Sequence, residues 1–262
     1  MRYCLSLSYV GAGFCGWQVQ PGAPSVQECL EKTLSRLLST RVAVTGAGRT
    51  DSGVNAVNYV AHFELDRPLP FGDSDFCYKL NAMLPRSVVV HGVSCVADDF
   101  NARFSARERS YTYFLHRRKD PFAEAFSWRC GYPGLDFGAM NEACAFLLGR
   151  HGFSCFEKTG GDNKTSLCTV SEAFWAPYVP SHVSVMGYAA VPDGEVPDYW
   201  YFRISADRFL RNMVRAVVGS LIEVGRGRHE PGWIADLIAA GTRSDAGESV
   251  PGHALFLNRV RY

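Results

Sequence analysis

No run in this sequence approaches the roughly 18 consecutive apolar residues that a membrane-spanning helix requires. Met1-Arg2-Tyr3-Cys4 carries neither the apolar core nor the cleavage site of a secretory signal, so no membrane contact and a cytoplasmic location are expected. Nine cysteines, at 4, 15, 29, 77, 95, 130, 144, 155 and 168, never fall closer than 11 residues apart. That spacing contains no CxxC pair for zinc or dithiol chemistry, and reduced, mostly buried thiols are expected. No metal motif is present. Net charge is nearly absent as well: 27 Lys and Arg stand against 26 Asp and Glu, and the resulting +1 by itself argues against a partner held by phosphate neutralisation.

What is there changes that last inference. Residues 101–120 hold six Lys/Arg against two acids and residues 203–228 hold six Arg against two, so the rest of the chain is about −7. Such a distribution fits basic surface on an acidic body and makes nucleic acid a candidate partner. With 262 residues, 47% of them apolar and 13% aromatic, the chain can bury one large core or two smaller ones.

Periodicity places the elements. Arg2 to Tyr9 alternates as a strand, and Ser25-Val26-Gln27-Glu28 has the capping-box form that opens a helix. Val26, Cys29, Leu30, Leu34, Leu37 and Leu38 make the apolar stripe of that helix. Strands are predicted at Val42–Thr45, Val57–Leu65 and Val88–Val96, with a short helix at Asp75–Met83 stopped by Pro85. In the second half, strands are predicted at Ser110–His116, near Leu167–Trp175, at Tyr199–Ile204 and at Ala254–Val260. Helices are predicted at Phe137–Leu148 and Trp233–Ala240, and a mobile loop at Lys158–Lys164. A further helix takes Asp207 as its N-cap, buries a stripe from Phe209 to Ile222, and ends with Gly225 at C′. Arg208, Arg211 and Arg215 would then share one face of it. Strands and helices follow one another similarly in both halves, which predicts an α+β fold of two related subdomains, residues 1–104 and 105–262.

Two glycine-rich segments compete for attention. Gly11-Ala12-Gly13-Phe14-Cys15-Gly16 satisfies GxGxxG, but Pro21 and Pro24 keep a helix from opening there, so no nucleotide cofactor is expected. The glycines instead suggest a tight turn presenting Trp17 and Gln18. The second segment, Thr45 to Val54, sets Asp51 in a turn between two strands, where its glycines allow close backbone approach. Alone, such an Asp is most often a turn-capping residue.

The surrounding residues say more. GAGRTDSGVNA (residues 46–56) closely resembles the AGRTDAGVHA motif of the TruA family of tRNA pseudouridine synthases, in which the Asp is catalytic. The resemblance recurs in order over nearly the whole chain: YVGAGFCGWQVQ (9–20), DFNARFSARERSYTYFL (99–115), FLRNMVRAVVGSLIEVGRG (209–227) and the closing residues 251–262. It implies that Asp51 is the catalytic carboxylate, Tyr111 the active-site tyrosine, and Arg215 the arginine that pairs with the Asp. Arg49 and Leu255 would help hold the substrate, and Arg107, Arg208 and Arg211 would contact RNA. Val10, Asn55, Asn101 and Cys168 depart from the residues usual at their positions.

By the same resemblance, the antiparallel sheets of the two subdomains join into one larger sheet, with helices on one side and the active-site cleft between the subdomains. The family works as a homodimer without cofactor or metal and isomerises uridines 38, 39 and 40 of the tRNA anticodon stem-loop. Such a reaction breaks the N-glycosidic bond, turns the uracil and rejoins it through carbon, consuming no redox equivalent or group donor. It needs a carboxylate, an enclosed pocket and groups that hold the free base. Asp51 would attack the ribose or remove a sugar proton, and Tyr111 would stack on the uracil. A non-catalytic tRNA-binding protein or chaperone of the same fold is the main alternative. An unrelated Asp-dependent hydrolase is the other, for which a second carboxylate near Asp51 is missing: the nearest following acids are Glu64 and Asp66.

Overall fold

The computed structural model describes residues 1–158, 160, 165–187 and 197–262. Most of the expected loop at Lys158–Lys164 lies outside the described residues. The fold is α+β and its strands are mostly antiparallel, as the sequence implied. It divides into two compact units: residues 1–109 with Phe256–Tyr262, and Ser110–Leu255. The first unit is thus discontinuous in the chain.

In the first unit, β1 (Arg2–Tyr9) lies between β4 (Val88–Val96) and β3 (Asn55–Glu64), antiparallel to both. Its alternation works as predicted: Tyr3, Leu5, Leu7 and Tyr9 are buried and Ser6 is exposed. A short β2 (Val44–Gly46) pairs with β3 antiparallel, and β10 (Leu255–Arg261) pairs with it in parallel at Asn55 and Ala56. Helix α1 (Val26–Leu38) begins where the capping box puts it, with the Ser25 hydroxyl accepting from Glu28 N at 3.2 Å. Val26, Leu30, Leu34 and Leu38 are its buried stripe. Helix α2 (Asp73–Met83) stops at Leu84, which is extended as the residue before a proline must be.

The second unit orders its strands β5 (Glu108–His116), β9 (Tyr199–Ala206), β8 (Leu167–Pro177) and β7 (Gly149–Gly152), with β6 (Trp128–Arg129) parallel to β5. The unit also holds α3 (Phe137–Ala145), α4 (Ser181–Ser184), α6 (Trp233–Ala240) and α5 (Met213–Gly225); α3 packs against α5, on which only Arg215 and Glu223 are not fully buried.

Helix α5 corrects the sequence reading at both ends. It begins six residues beyond Asp207, because Asn212 adopts the left-handed conformation (φ 64°) and no helix can run through it. Asp207 is not an N-cap: its carboxylate accepts from Thr169 N at 2.8 Å and from Arg208 N at 2.7 Å, anchoring the chain to β8. Arg208 and Arg211 therefore precede the helix and share no face of it with Arg215. At the other end Gly225 is still helical, and Gly227, at φ 69°, is the residue that turns the chain away. The cysteines are all free; four are buried, four half-buried and Cys95 is exposed, fewer in the core than expected.

Segment 245–250 runs hard against α5: a Cβ on Gly219 would overlap the Glu248 carbonyl, and one on Gly247 would lie 2.6 Å from the Gly219 carbonyl carbon. Helix propensity alone favours Gly219→Ala by about 1 kcal/mol. The overlap with backbone reverses the sign, so we expect this variant to be destabilised by about 1–3 kcal/mol, read as a lower Tm in thermal unfolding.

Candidate active site

Asp51 sits, half-buried, in the loop between β2 and β3, and that loop is built almost entirely by backbone contacts from the opening segment. Trp17 N donates to Thr50 O at 3.2 Å, Gly53 N donates to Phe14 O at 3.3 Å, and Val54 N closes the turn on Asp51 O at 3.2 Å. The GxGxxG glycines find their purpose here. Gly11 lies on the Gly53–Val54 backbone and Gly16 on the Thr50 carbonyl so closely that a Cβ at either would overlap it. Gly16 also takes φ 91° and Gly53 φ 76°, which disfavours any side chain.

Beneath the loop lies an aromatic platform. Trp17 and Tyr59 pack at 4.2 Å between centroids, and Tyr9 meets Tyr59 edge-on at 5.5 Å. The expectation that the turn presents Trp17 is therefore corrected: Trp17 is buried, and only Gln18 faces solvent. Each phenol of the platform holds the loop. Tyr9 and the buried Thr50 share a hydrogen bond of 2.8 Å, and the Tyr59 hydroxyl donates to Gly48 O. Asn55, where the family usually has His, accepts from Gly11 N at 2.9 Å and so ties the two glycine segments together.

Arg109, which the sequence alone does not single out, clamps the other side. Its Nε and Nη2 donate to Ala47 O at 3.2 and 2.9 Å, and Nη2 also donates to Arg103 O at 2.6 Å. One guanidinium thus registers the Asp51 loop against the turn at residues 101–105. That turn is itself fixed: Asn101 Oδ1 accepts from Arg103 N and Phe104 N, His62 Nδ1 accepts from Ala102 N at 3.1 Å, and Tyr262 donates to Ala102 O at 2.8 Å. The signal that would have found Arg109 is its place two residues before Tyr111 in the quoted ARERSYTYFL segment.

The remaining candidates divide between the units. Arg49 and Arg107 are exposed in the first unit, with Asp51. Tyr111, Arg215, Leu255, Arg208 and Arg211 belong to the second. Tyr111 is buried on β5 with its ring edge-on to Phe209 at 5.1 Å. Tyr113, two residues along the same face, is wholly buried, and burial drives its phenol far above the usual tyrosine range. Arg215 is held on α5 by Nε donating to Val250 O at 2.7 Å, while Val250 N returns a bond to Arg215 O at 3.3 Å. Leu255 is buried at the start of β10. Arg208 is half-buried and Arg211 exposed. Cys168 is buried, and burial pushes its thiol up to about 12.

A hydrolase-like constellation also exists in the second unit, where Ser127 Oγ lies 2.9 Å from His116 Nδ1 and Glu124 lies 3.5 Å from Nε2. Both Ser127 and His116 are buried, at 3% and 0% exposure, so no substrate reaches that serine. Among the described residues no three His, Cys, Asp or Glu side chains gather in a way that could hold a metal ion, and no helix is long and apolar enough to cross a membrane.

Residues 143–262 match the family described as tRNA pseudouridine synthase. Along its whole length the chain is similar to proteins named tRNA pseudouridine synthase A. It is 43% identical to that of Parabacteroides distasonis, with 100% of this chain and 96% of that protein covered. Against the Porphyromonas gingivalis protein the identity is 42%, with 100% and 97% covered. Against that of Bacillus licheniformis it is 37%, with 100% and 99% covered.

The His62 bond gives a pH dependence. Burial, reinforced by the Arg2 charge, lowers the His62 pKa below its ordinary 6.5, because the neutral ring must accept from Ala102 N. The unfolded chain takes up that proton near pH 6.5 and the folded one resists it, so this stability is fully present above about 6.5 and declines as the pH falls. We expect urea midpoints to drop between about pH 7.5 and pH 5.5, and the drop to be smaller in His62→Gln; the remainder belongs to His116, whose pKa burial also lowers.

Proposed function

The chain belongs to the tRNA pseudouridine synthases, an isomerase family, and from that premise we propose that Asp51 is the carboxylate with which it converts uridine to pseudouridine in tRNA. The observation that carries the reading is the GAGRTDSGVNA turn: an Asp is held, half-exposed, on a loop that Trp17, Tyr9, Tyr59 and Arg109 fix from below and beside. A carboxylate that must meet the ribose at one angle benefits from such pre-organisation, since positioning supplies much of the barrier lowering in reactions of this kind. A capping Asp in an ordinary surface turn would need none of it.

Tyr111 supplies a ring for the released uracil and Arg215 a fixed positive charge; Leu255 adds apolar wall and Arg49 a guanidinium two residues from the carboxylate. No redox equivalent is exchanged, so the chemistry is one of bond exchange at the anomeric carbon, with the base retained between cleavage and rejoining. The substrate uridines are those at positions 38, 39 and 40 of the anticodon stem-loop, recognised through RNA shape and backbone, with Arg107, Arg208 and Arg211 among the phosphate contacts. The enzyme acts in the cytoplasm as a homodimer.

Asp51→Asn should lower turnover by about 10⁴-fold or more while tRNA affinity stays within a few-fold, because the charge that binds backbone lies elsewhere. Tritium release from C5-labelled uridine in an unmodified tRNA transcript, without added cofactor, measures it. Near-normal release by the variant would remove Asp51 from the mechanism, and tRNA binding without release by the wild type would favour the non-catalytic alternative. Tyr111→Phe should bind tRNA and react slowly or not at all in the same assay.

A further inference from the structure

The turn at residues 101–105 is tied down far more heavily than a surface loop of its size requires. Asn101, His62, Ser105, Arg109 and Tyr262 all spend side-chain hydrogen bonds on its backbone. What these bonds hold in place is a pair of side chains that face solvent, Arg103 and Phe104. Phe104 is 79% exposed, so its ring gains almost nothing from burial in the chain itself and is open to a partner. The Arg103 guanidinium leans over that ring at 5.4 Å, and among the described residues no carboxylate lies within ion-pair distance of it.

Arg103, alone of this pair, also lines a polar groove of about 150 Å³, with Trp17, Gln18, Gly46, Gly48 and Arg49. Ligand pockets for whole cofactors run to about 300 Å³ and above, so this groove is too small for a nucleotide and fits a phosphodiester with part of its ribose. Two guanidiniums, the exposed Gln18 amide and glycine backbone are what such an anion requires. An exposed ring beside an arginine that lines a basic groove is an arrangement suited to binding single-stranded nucleic acid without reading its sequence. Arg109 joins the groove to the chemistry, because the same guanidinium holds both Ala47 O in the Asp51 loop and Arg103 O in the turn.

We infer that this groove is a subsite for the RNA backbone: it takes the phosphate of a nucleotide flanking the target uridine, with Arg103 as its principal cation and Phe104 stacking on the neighbouring base. The inference rests on the tRNA substrate proposed above. It assigns Arg103, Phe104 and Gln18, which lie in the resembling segments but were given no role there, to substrate binding, and it makes the Arg109 clamp the part that sets the distance from bound phosphate to Asp51.

The test uses the full-length protein and an unmodified tRNA, ligated from synthetic pieces so that one phosphate at a time, from three before to three after the target uridine, is replaced by a neutral methylphosphonate. Arg103→Ala should weaken tRNA binding about ten-fold and reduce the slope of log affinity against log salt by about 0.7–1. Phe104→Ala should weaken binding by a similar factor with the slope unchanged, and Phe104→Trp should restore it. At one position the methylphosphonate should cost the wild type about ten-fold and cost Arg103→Ala nothing further.

Equal sensitivity of wild type and Arg103→Ala at every position would overturn the subsite, as would wild-type affinity in both alanine variants. Thermal unfolding of each variant identifies one that has merely failed to fold, and the Arg103→Lys variant, which keeps the charge, should keep the salt slope. Tritium release by the wild type on the all-phosphate tRNA separates the two levels: release with no position-specific effect refutes the subsite alone, and absence of release refutes the reading beneath it.

Discussion

Two backbones lie against each other at the heart of the first unit, and the rest of the site depends on their contact. At Gly11 and Gly16 the opening segment reaches the carbonyls of residues 50–54 with no room for a side chain. From that contact follow the bonds to Thr50 O and Phe14 O, the left-handed turn at Gly53 and the fixed exit of the chain into β3. Hydrogen bonds between backbones have few ways to rotate, so a carboxylate mounted on them is aimed by main chain and needs little help from its neighbours' rotamers. The aromatic platform of Tyr9, Trp17 and Tyr59 fills the volume beneath, and its two phenols spend their polar ends on the same loop. Packing and polar satisfaction thus serve one short segment.

How far the sequence shows this varies by element. Local signals read well: the Ser25 capping box gave the start of α1, alternation gave β1, a valine-rich run gave β4, and Pro85 gave the end of α2. The start of α5 did not, because Phe209 and Leu210 are apolar at helical spacing while belonging to an irregular segment that Asn212 interrupts. Periodicity reports burial, and a buried loop can mimic it. Short strands such as β6 and β7 were invisible for a related reason: two to four residues are too few to show alternation.

The site divides along the same line. Asp51 was legible because its neighbours repeat a known motif, and the glycines around it because close approach leaves a compositional trace. Arg109 was legible only by its place beside Tyr111 in a motif-bearing segment, since the linear pattern does not tell an arginine that holds carbonyls from one that meets solvent. Trp17 was misread as presented, because a turn rich in glycine says that the chain reverses and not which way the ring points. Overall charge was the least informative quantity. A net +1 conceals cations that the fold deploys singly, some as surface charge and some, like Arg109 and Arg215, as struts for carbonyl oxygens.

The strand β10 has a consequence for the order in which the molecule can be completed. It belongs to the first unit through its parallel pairing with β3, and Arg261 and Tyr262 supply bonds to Arg107 and to the Ala102 turn. Residues 1–109 leave the ribosome well before those partners exist, and the whole of Ser110–Leu255 is made in between. Parallel pairing across so long a stretch of chain forms late, since loop closure precedes any stabilising contact. A nascent chain can therefore hold an Asp51 loop seated on its aromatic platform while the turn beside it still lacks its last fastening. The first unit cannot be completed before Phe256–Tyr262 have been made.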